Sequence, residues 1–228
     1  MEAKSFWERA STFPLGKPEY PDHARLREFA KAKGKVVLEY GCGGGSDTME
    51  YLRHGAEVYF ADIVPHNLDL TTARIISDFE LSKGKYVGLQ LKDSSKVPLK
   101  ASSVDIVSSH GVVHHIAHPA PVVKDFFRVL KPGGELHLML YTEHLWAFHE
   151  ERINELTRNE KISKYEAFGW CTDEKGCPYA RAYTEKEGVE LIEKAGFEML
   201  WLETYAPTVK DKEANRLIFR HYKARKKG

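Results

Sequence analysis

Apolar residues in this chain fall into short runs separated by amphipathic stretches. VVLEY (36–40), EVYFAD (57–62), KYVGLQL (85–91), VDIVSS (104–109) and LHLMLY (136–141) are apolar, β-rich runs of strand length. Between them, SDTMEYLRHG carries Met49 and Leu52 at helical spacing, and HNLDLTTARIISDF and APVVKDFFRVL follow the same period. Strand and helix in strict alternation predict a parallel sheet with helices on both faces. Upstream, DHARLREFAKAKG (22–34) sets Leu26, Phe29 and Ala30 on one face, with Asp22 as a cap and Gly34 as a stop, and predicts a leading helix. Downstream, TEKE (184–187) is a capping-box pattern opening the helix TEKEGVELIEKAG. FEMLWLETY and RLIFRHYKAR follow it and predict an antiparallel hairpin at the sheet edge. Residues 142–182 are less periodic, rich in aromatic and charged side chains, and read as an insertion or lid. The organisation expected is a cap over residues 1–34 and a single domain over 35–228.

Composition narrows the function classes. Lys plus Arg less Asp plus Glu is 34 − 33 = +1, which supplies no electrostatic drive toward nucleic acid or anionic lipid. No apolar run approaches the roughly 20 residues needed to cross a bilayer. Glu2, Lys4, Glu8 and Arg9 charge the N-terminus, where a secretory signal would be apolar, so a cytoplasmic protein without a membrane partner is expected. The three cysteines, at 42, 171 and 177, form no CxxC, so neither a disulfide framework nor a structural metal site is signalled. Oligomeric state has no signature here.

The segment Val37-Leu38-Glu39-Tyr40-Gly41-Cys42-Gly43-Gly44-Gly45 places a carboxylate near a strand end and glycines at alternating positions beyond it. Small residues are needed where a ligand approaches the backbone as strand turns into helix. The spacing is not GxGxxG, because position 46 is Ser, which argues against a nicotinamide dinucleotide. Asp62 closes the second predicted strand, where a carboxylate can accept both hydroxyls of a ribose.

With these residues in place, the chain resembles the class I S-adenosylmethionine-dependent methyltransferases, in the broad subgroup that acts on small molecules. The resemblance covers about Lys35 to Tyr141 and rests on LEYGCGGG, Asp62, LKDSSKVPLKASSVDIVSSHGVVHHI and FFRVLKPGGELHL. It implies a Rossmann-like α/β fold with a seven-stranded, mostly parallel sheet in the order 3-2-1-4-5-7-6, strand 7 antiparallel. It implies S-adenosylmethionine as cofactor, its methionine part against Glu39, Gly41 and Gly43, its ribose on Asp62 and its adenine on Ile63. Asp93 would accept from the adenine amino group with Ser94 beside it, and His110 would lie by the methionine moiety.

Transfer of a methyl group from a sulfonium mainly requires alignment, with a base only where the acceptor must lose a proton. His114 and His115 follow strand 4 at the edge where such sheets bind ligands, and His115 is the preferred base, His114 the second candidate. Tyr20, Tyr141, His144 and Arg181 are candidate acceptor-binding residues, an arginine among aromatics suiting an anionic group. No metal is required, since the sulfonium is already a leaving group. The acceptor expected is an O–H or N–H of a small metabolite. Methylation of RNA or protein and a noncatalytic scaffold are the alternatives; the near-neutral charge counts against the first, and the glycine loop with Asp62 counts against the second.

Overall fold

The computed structural model describes residues 25–206 and 216–228. The seven strands are β1 (Val36–Tyr40), β2 (Glu57–Asp62), β3 (Tyr86–Gln90), β4 (Val104–His110), β5 (Leu130–Tyr141), β6 (Phe197–Tyr205) and β7 (Phe219–Lys226). They form one sheet in the order β3-β2-β1-β4-β5-β7-β6. β1 to β5 run parallel, whereas β7 is antiparallel to both β5 and β6. The order and the reversed strand are those implied by the resemblance.

Alternation along the central strands divides the apolar residues between two cores. Val37, Val58 and Phe60 face one side, where they pack with Met49 and Leu52 of α1 (Ser46–Arg53), Ile75 of α2 (Pro65–Ser77) and Phe29. Leu38, Tyr40 and Ala61 face the other, against Val122, Val123 and Phe126 of α3 (Pro119–Val129) and Ile192 of α6 (Glu185–Lys194). A strand buried on both faces reads as a continuous apolar run, which is why VVLEY lacks polar alternation. α6 begins with the complete capping box, Thr184 accepting from the Glu187 N–H and Glu187 from the Thr184 N–H.

The leading helix is a correction. Residues 25–27 are helical, Glu28 takes a left-handed conformation at φ 50°, and Phe29–Ala32 form a separate 3-10 turn. Side-chain anchors on opposite sides of the break account for it. Arg27, 2% exposed, pairs with Asp47 at 2.7 Å and Ser108 at 2.8 Å, whereas Glu28 pairs with Lys223 of β7. Tertiary contacts override the local helical pattern.

Residues 142–182 are mostly helical. α4 (Glu143–Asn159) and α5 (Lys164–Thr172) pack as a hairpin beyond the carboxyl end of β5, with a small core of Met139, Tyr141, Leu145, Ile153, Leu156 and Phe168. Among the described residues, no helix is long and apolar enough to cross a membrane.

Candidate functional site

β1 leads to β2 on one side and lies against β4 on the other, so the strand order reverses between β1 and β4. A crevice opens at the carboxyl ends of such a pair. The glycine loop crosses it. Gly41, Gly43 and Gly45 all have positive φ, at 78°, 52° and 79°, but for different reasons. A side chain on Gly41 would collide with Val112 in the turn after β4, and one on Gly45 would come within 2.6 Å of Thr71 of α2. A carbon added to Gly43 would meet nothing within 4 Å. Two glycines admit neighbouring protein; the third borders a cradle with room for a ligand.

Two carboxylates flank this cradle. Glu39, 6% exposed, accepts from the Thr48 hydroxyl, and burial, reinforced by Asp47, holds its carboxyl well above the usual carboxylate range. A cation arriving beside it would relieve that cost. Asp62, also 6% exposed, accepts the N–H of Gly43 at 2.9 Å through one oxygen and that of Val64 at 2.9 Å through the other. Burial raises its pKa, opposed by those two N–H groups. The Asn67 side chain and the Ile63 N–H also bond to Asp62, which therefore sets the shape of the glycine loop.

α2 holds the loop from behind. Thr71 donates to the Gly43 carbonyl at 3.2 Å and Arg74 donates to the Gly44 carbonyl. Sequence reading missed both residues, because on a helix their polarity resembles that of any solvated face. Ile63 is 37% exposed, a large apolar side chain left uncovered next to Asp62, as an adenine-packing residue requires. Asp93 is exposed and accepts from the Ser95 N–H at 2.7 Å and its hydroxyl, which lower its pKa. Ser94 is tied to the crevice through its carbonyl, which accepts from the Tyr40 hydroxyl at 2.6 Å.

On the β4 side, His110 Nε2 lies 3.0 Å from the Tyr205 hydroxyl and its ring meets Phe219 edge-on at 6.4 Å. His114 and His115 occupy one 3-10 turn but have different environments. His114 is fully buried, stacked on Tyr141 at 3.6 Å, and burial depresses its pKa well below the ordinary value. It is a neutral ring packed under the hairpin. His115 Nδ1 lies 2.9 Å from the Tyr179 carbonyl, and Nε2 lies 3.5 Å from Asp173 Oδ1. The same Asp173 oxygen accepts from the Tyr141 hydroxyl at 3.3 Å, and Thr172 donates to the other at 2.7 Å. Asp173 thus connects His115 to Tyr141, a link invisible in sequence because 58 residues separate it from His115.

His115, Asp173 and Cys177 present ligand atoms within 4.8 Å of one another, a grouping that the cysteine spacing alone did not signal. As they stand, these atoms bond to each other and to Tyr179, and burial raises the Cys177 thiol to about 12.

The structure separates the candidate acceptor residues. Tyr141 and Phe219 are stacked at 5.5 Å and line a cleft of about 240 Å³ together with Phe148, His149, Thr172 and Arg216. His144 is exposed and does not line this cleft. Arg181 is engaged elsewhere: it pairs with Glu187 at 2.6 Å and covers the Tyr183 ring at 4.8 Å. Tyr20 lies outside the described residues. Arg216 and Phe148, which do line the cleft, were missed: the first lies in a segment read as strand, the second in the aperiodic insertion.

Comparison with known proteins places this geometry. Residues 38–138 match the family model described as "Methyltransferase domain". An uncharacterized methyltransferase of Mycobacterium tuberculosis is 29% identical over 149 residues, covering 65% of this chain and 54% of that protein. A ubiquinone biosynthesis O-methyltransferase of Nitrosococcus oceani is 33% identical over 112 residues, 49% of this chain and 45% of that protein. The chain spans about half the length of these curated relatives. Among solved structures, a SAM-dependent methyltransferase of Methanosarcina mazei superposes with a TM-score of 0.70 at 21% identity, covering 90% of this chain and 98% of that one. The [4+2]-cyclase SpnF superposes with a TM-score of 0.66 at 14% identity, covering 99% and 93%. The fold is shared by proteins of different chemistry, so the acceptor must be argued from the site.

Proposed function

We propose, on the premise that this chain carries a class I S-adenosylmethionine-dependent methyltransferase domain, that it transfers a methyl group to an oxygen or nitrogen of a small-molecule metabolite. The observation that carries the reading is the aromatic cleft at the carboxyl end of β5, lined also by Phe219 of β7, whose ring lies 6.4 Å from that of His110 at the end of β4. Among the described residues the lining of the cleft is largely aromatic and aliphatic, the kind of surface that suits a small organic acceptor.

S-adenosylmethionine supplies a methyl group already activated on a sulfonium. The residues of the chain bind and align. Glu39, desolvated and only partly compensated by Arg27, would take the ammonium of the methionine end beside Gly41 and Gly43. Asp62 would accept ribose hydroxyls, Ile63 would cover adenine, and Asp93 with Ser94 would meet its amino group. Orientation supplies most of the rate in such a displacement.

A hydroxyl or ammonium acceptor must also lose a proton. With one proton on Nδ1, donated to the Tyr179 carbonyl, His115 would take a second on Nε2, where the Asp173 carboxylate 3.5 Å away, which also accepts from the Tyr141 hydroxyl, would accept from it and stabilise the imidazolium. We assign the base to His115 and the path from the cleft to Tyr141 and Asp173. His114, buried and neutral, supports Tyr141 from below.

Asp62→Ala tests the cofactor part directly. Loss of a hydrogen bond between a charged group and ribose should cost about 1.5–3 kcal/mol of binding to S-adenosylhomocysteine in titration calorimetry. Undiminished affinity would leave Asp62 with only its loop-holding role.

A further inference from the structure

We propose that Arg74 is a positioning residue for the cofactor: from α2 it fixes the Gly44 carbonyl, and through it the shape of the glycine loop that receives the amino-acid end of S-adenosylmethionine. This inference rests on the methyltransferase reading and adds to it a residue that acts without touching the ligand.

The need for such a residue arises in the sequence. Gly43, Gly44 and Gly45 are consecutive. A peptide unit flanked by glycines has no side chain to bias its rotation, and a glycine gives up more backbone freedom on ordering than any other residue. Left to itself, such a run populates several shapes. Gly43 and Gly45 nevertheless hold positive φ, at 52° and 79°, so one shape is imposed from outside the loop.

Neighbouring elements impose it one peptide at a time. The Gly41 and Cys42 N–H groups both donate to the Ala61 carbonyl of β2, at 2.7 and 3.0 Å, and the Gly43 N–H donates to Asp62 at 2.9 Å. These bonds tie the entry of the loop to β2. Its exit is tied to α2, where Thr71 donates to the Gly43 carbonyl at 3.2 Å and Arg74 to the Gly44 carbonyl. Three residues apart on a helix, the two donors share a face. The bond from Arg74 is the charge-assisted one, about twice as strong as a neutral bond, and it holds the peptide that has glycine on either side. With both carbonyls drawn toward α2, neither oxygen is presented to the carboxylate of an incoming amino acid. Arg74 is half-buried and belongs to neither apolar core beside the sheet, so its removal should act on the loop rather than on the fold.

The experiment compares two ligands on the full chain by titration calorimetry: S-adenosylhomocysteine, and 5′-methylthioadenosine, which keeps the nucleoside and the sulfur but lacks the amino-acid end. Arg74→Met should weaken S-adenosylhomocysteine about tenfold or more, as loss of a charge-assisted hydrogen bond implies, and leave 5′-methylthioadenosine nearly unchanged. Arg74→Lys, which keeps a charged donor, should recover most of the loss. Hydrogen exchange of the ligand-free chain, read over residues 41–48, should be faster in Arg74→Met than in wild type, with coincident thermal melts. Undiminished affinity for S-adenosylhomocysteine, or unchanged exchange in the loop, overturns the proposal. Equal weakening of both ligands, or a variant that does not fold, makes Arg74 a support of the whole domain and overturns it as well. Each of these results leaves the methyltransferase reading standing, provided that wild type binds S-adenosylhomocysteine. Failure of wild type to bind it overturns that reading, and this inference with it.

Discussion

Three glycines two residues apart in one loop carry different duties. A Cβ at Gly43 would meet no described atom within 4 Å, yet a valine there would extend into the cradle and adopt a positive φ that branched side chains resist. Gly43→Val should therefore abolish detectable S-adenosylhomocysteine binding in calorimetry with only a modest loss of stability. Gly45→Ala should do the reverse in a thermal melt, because its new carbon lies 2.6 Å from Thr71, and overpacking of this kind costs about 1–3 kcal/mol. The same contrast separates two adjacent histidines. His115→Ala should lower turnover about 100-fold once an acceptor is in hand, with cofactor affinity unchanged, as expected for loss of a general base. His114→Ala, which removes a ring packed under Tyr141, should act mainly on stability. Equal turnover in wild type and His115→Ala would make His115 a tie between the turn after β4 and the helical hairpin.

Elements meet this closely elsewhere. α6 crosses β7 at Gly188, where a side-chain carbon would collide with the Tyr222 hydroxyl. Tyr222 is fully buried, so neither partner can withdraw without opening the core. Gly188→Ala should cost about 1–3 kcal/mol in urea denaturation, and Gly188→Ala with Tyr222→Phe should recover part of that cost. Such a crossing is specified by neither segment alone. The helix pattern of TEKEGVELIEKAG would improve with alanine at that position, and only packing explains the glycine.

Across the whole molecule, buried ionisable groups give stability a pH dependence of mixed sign. Burial depresses the pKa of His114 and of His137. Below about pH 6.5 the unfolded chain takes up protons at these positions and the folded chain does not. Their contribution is therefore complete above that value and falls as pH drops toward the folded pKa. Glu39 and Asp62, with raised pKa values, act the other way, because the folded state keeps their protons where the unfolded state has lost them. The sum is hard to read, but a difference is not. Comparing wild type with His114→Phe by chemical denaturation between pH 7 and 5 should show the variant gaining up to about 1.4 kcal/mol per pH unit relative to wild type. Parallel stability profiles would mean that His114 is protonated alike in both states.

What the sequence determined by itself was whatever depends on local periodicity and on the chemistry of neighbours in the chain. VVLEY followed by GCGGG gave strand, loop and helix, because burial on both faces removes polar alternation and a tight ligand-facing turn demands glycine. The capping box at Thr184 was legible because its two hydrogen bonds are only three residues apart. The strand order came from resemblance, and the crevice between β1 and β4 follows from it. Tertiary structure decided what depends on residues distant in sequence. The break at Glu28 follows from its pull toward Lys223, 195 positions away. His115 acquires a carboxylate neighbour only when the hairpin brings Asp173 beside it, and the cleft acquires its cation only when the start of β7 returns to the end of β5. Periodicity reports which face of an element is buried; it does not report which element covers that face, and the candidate cleft is made of such coverings.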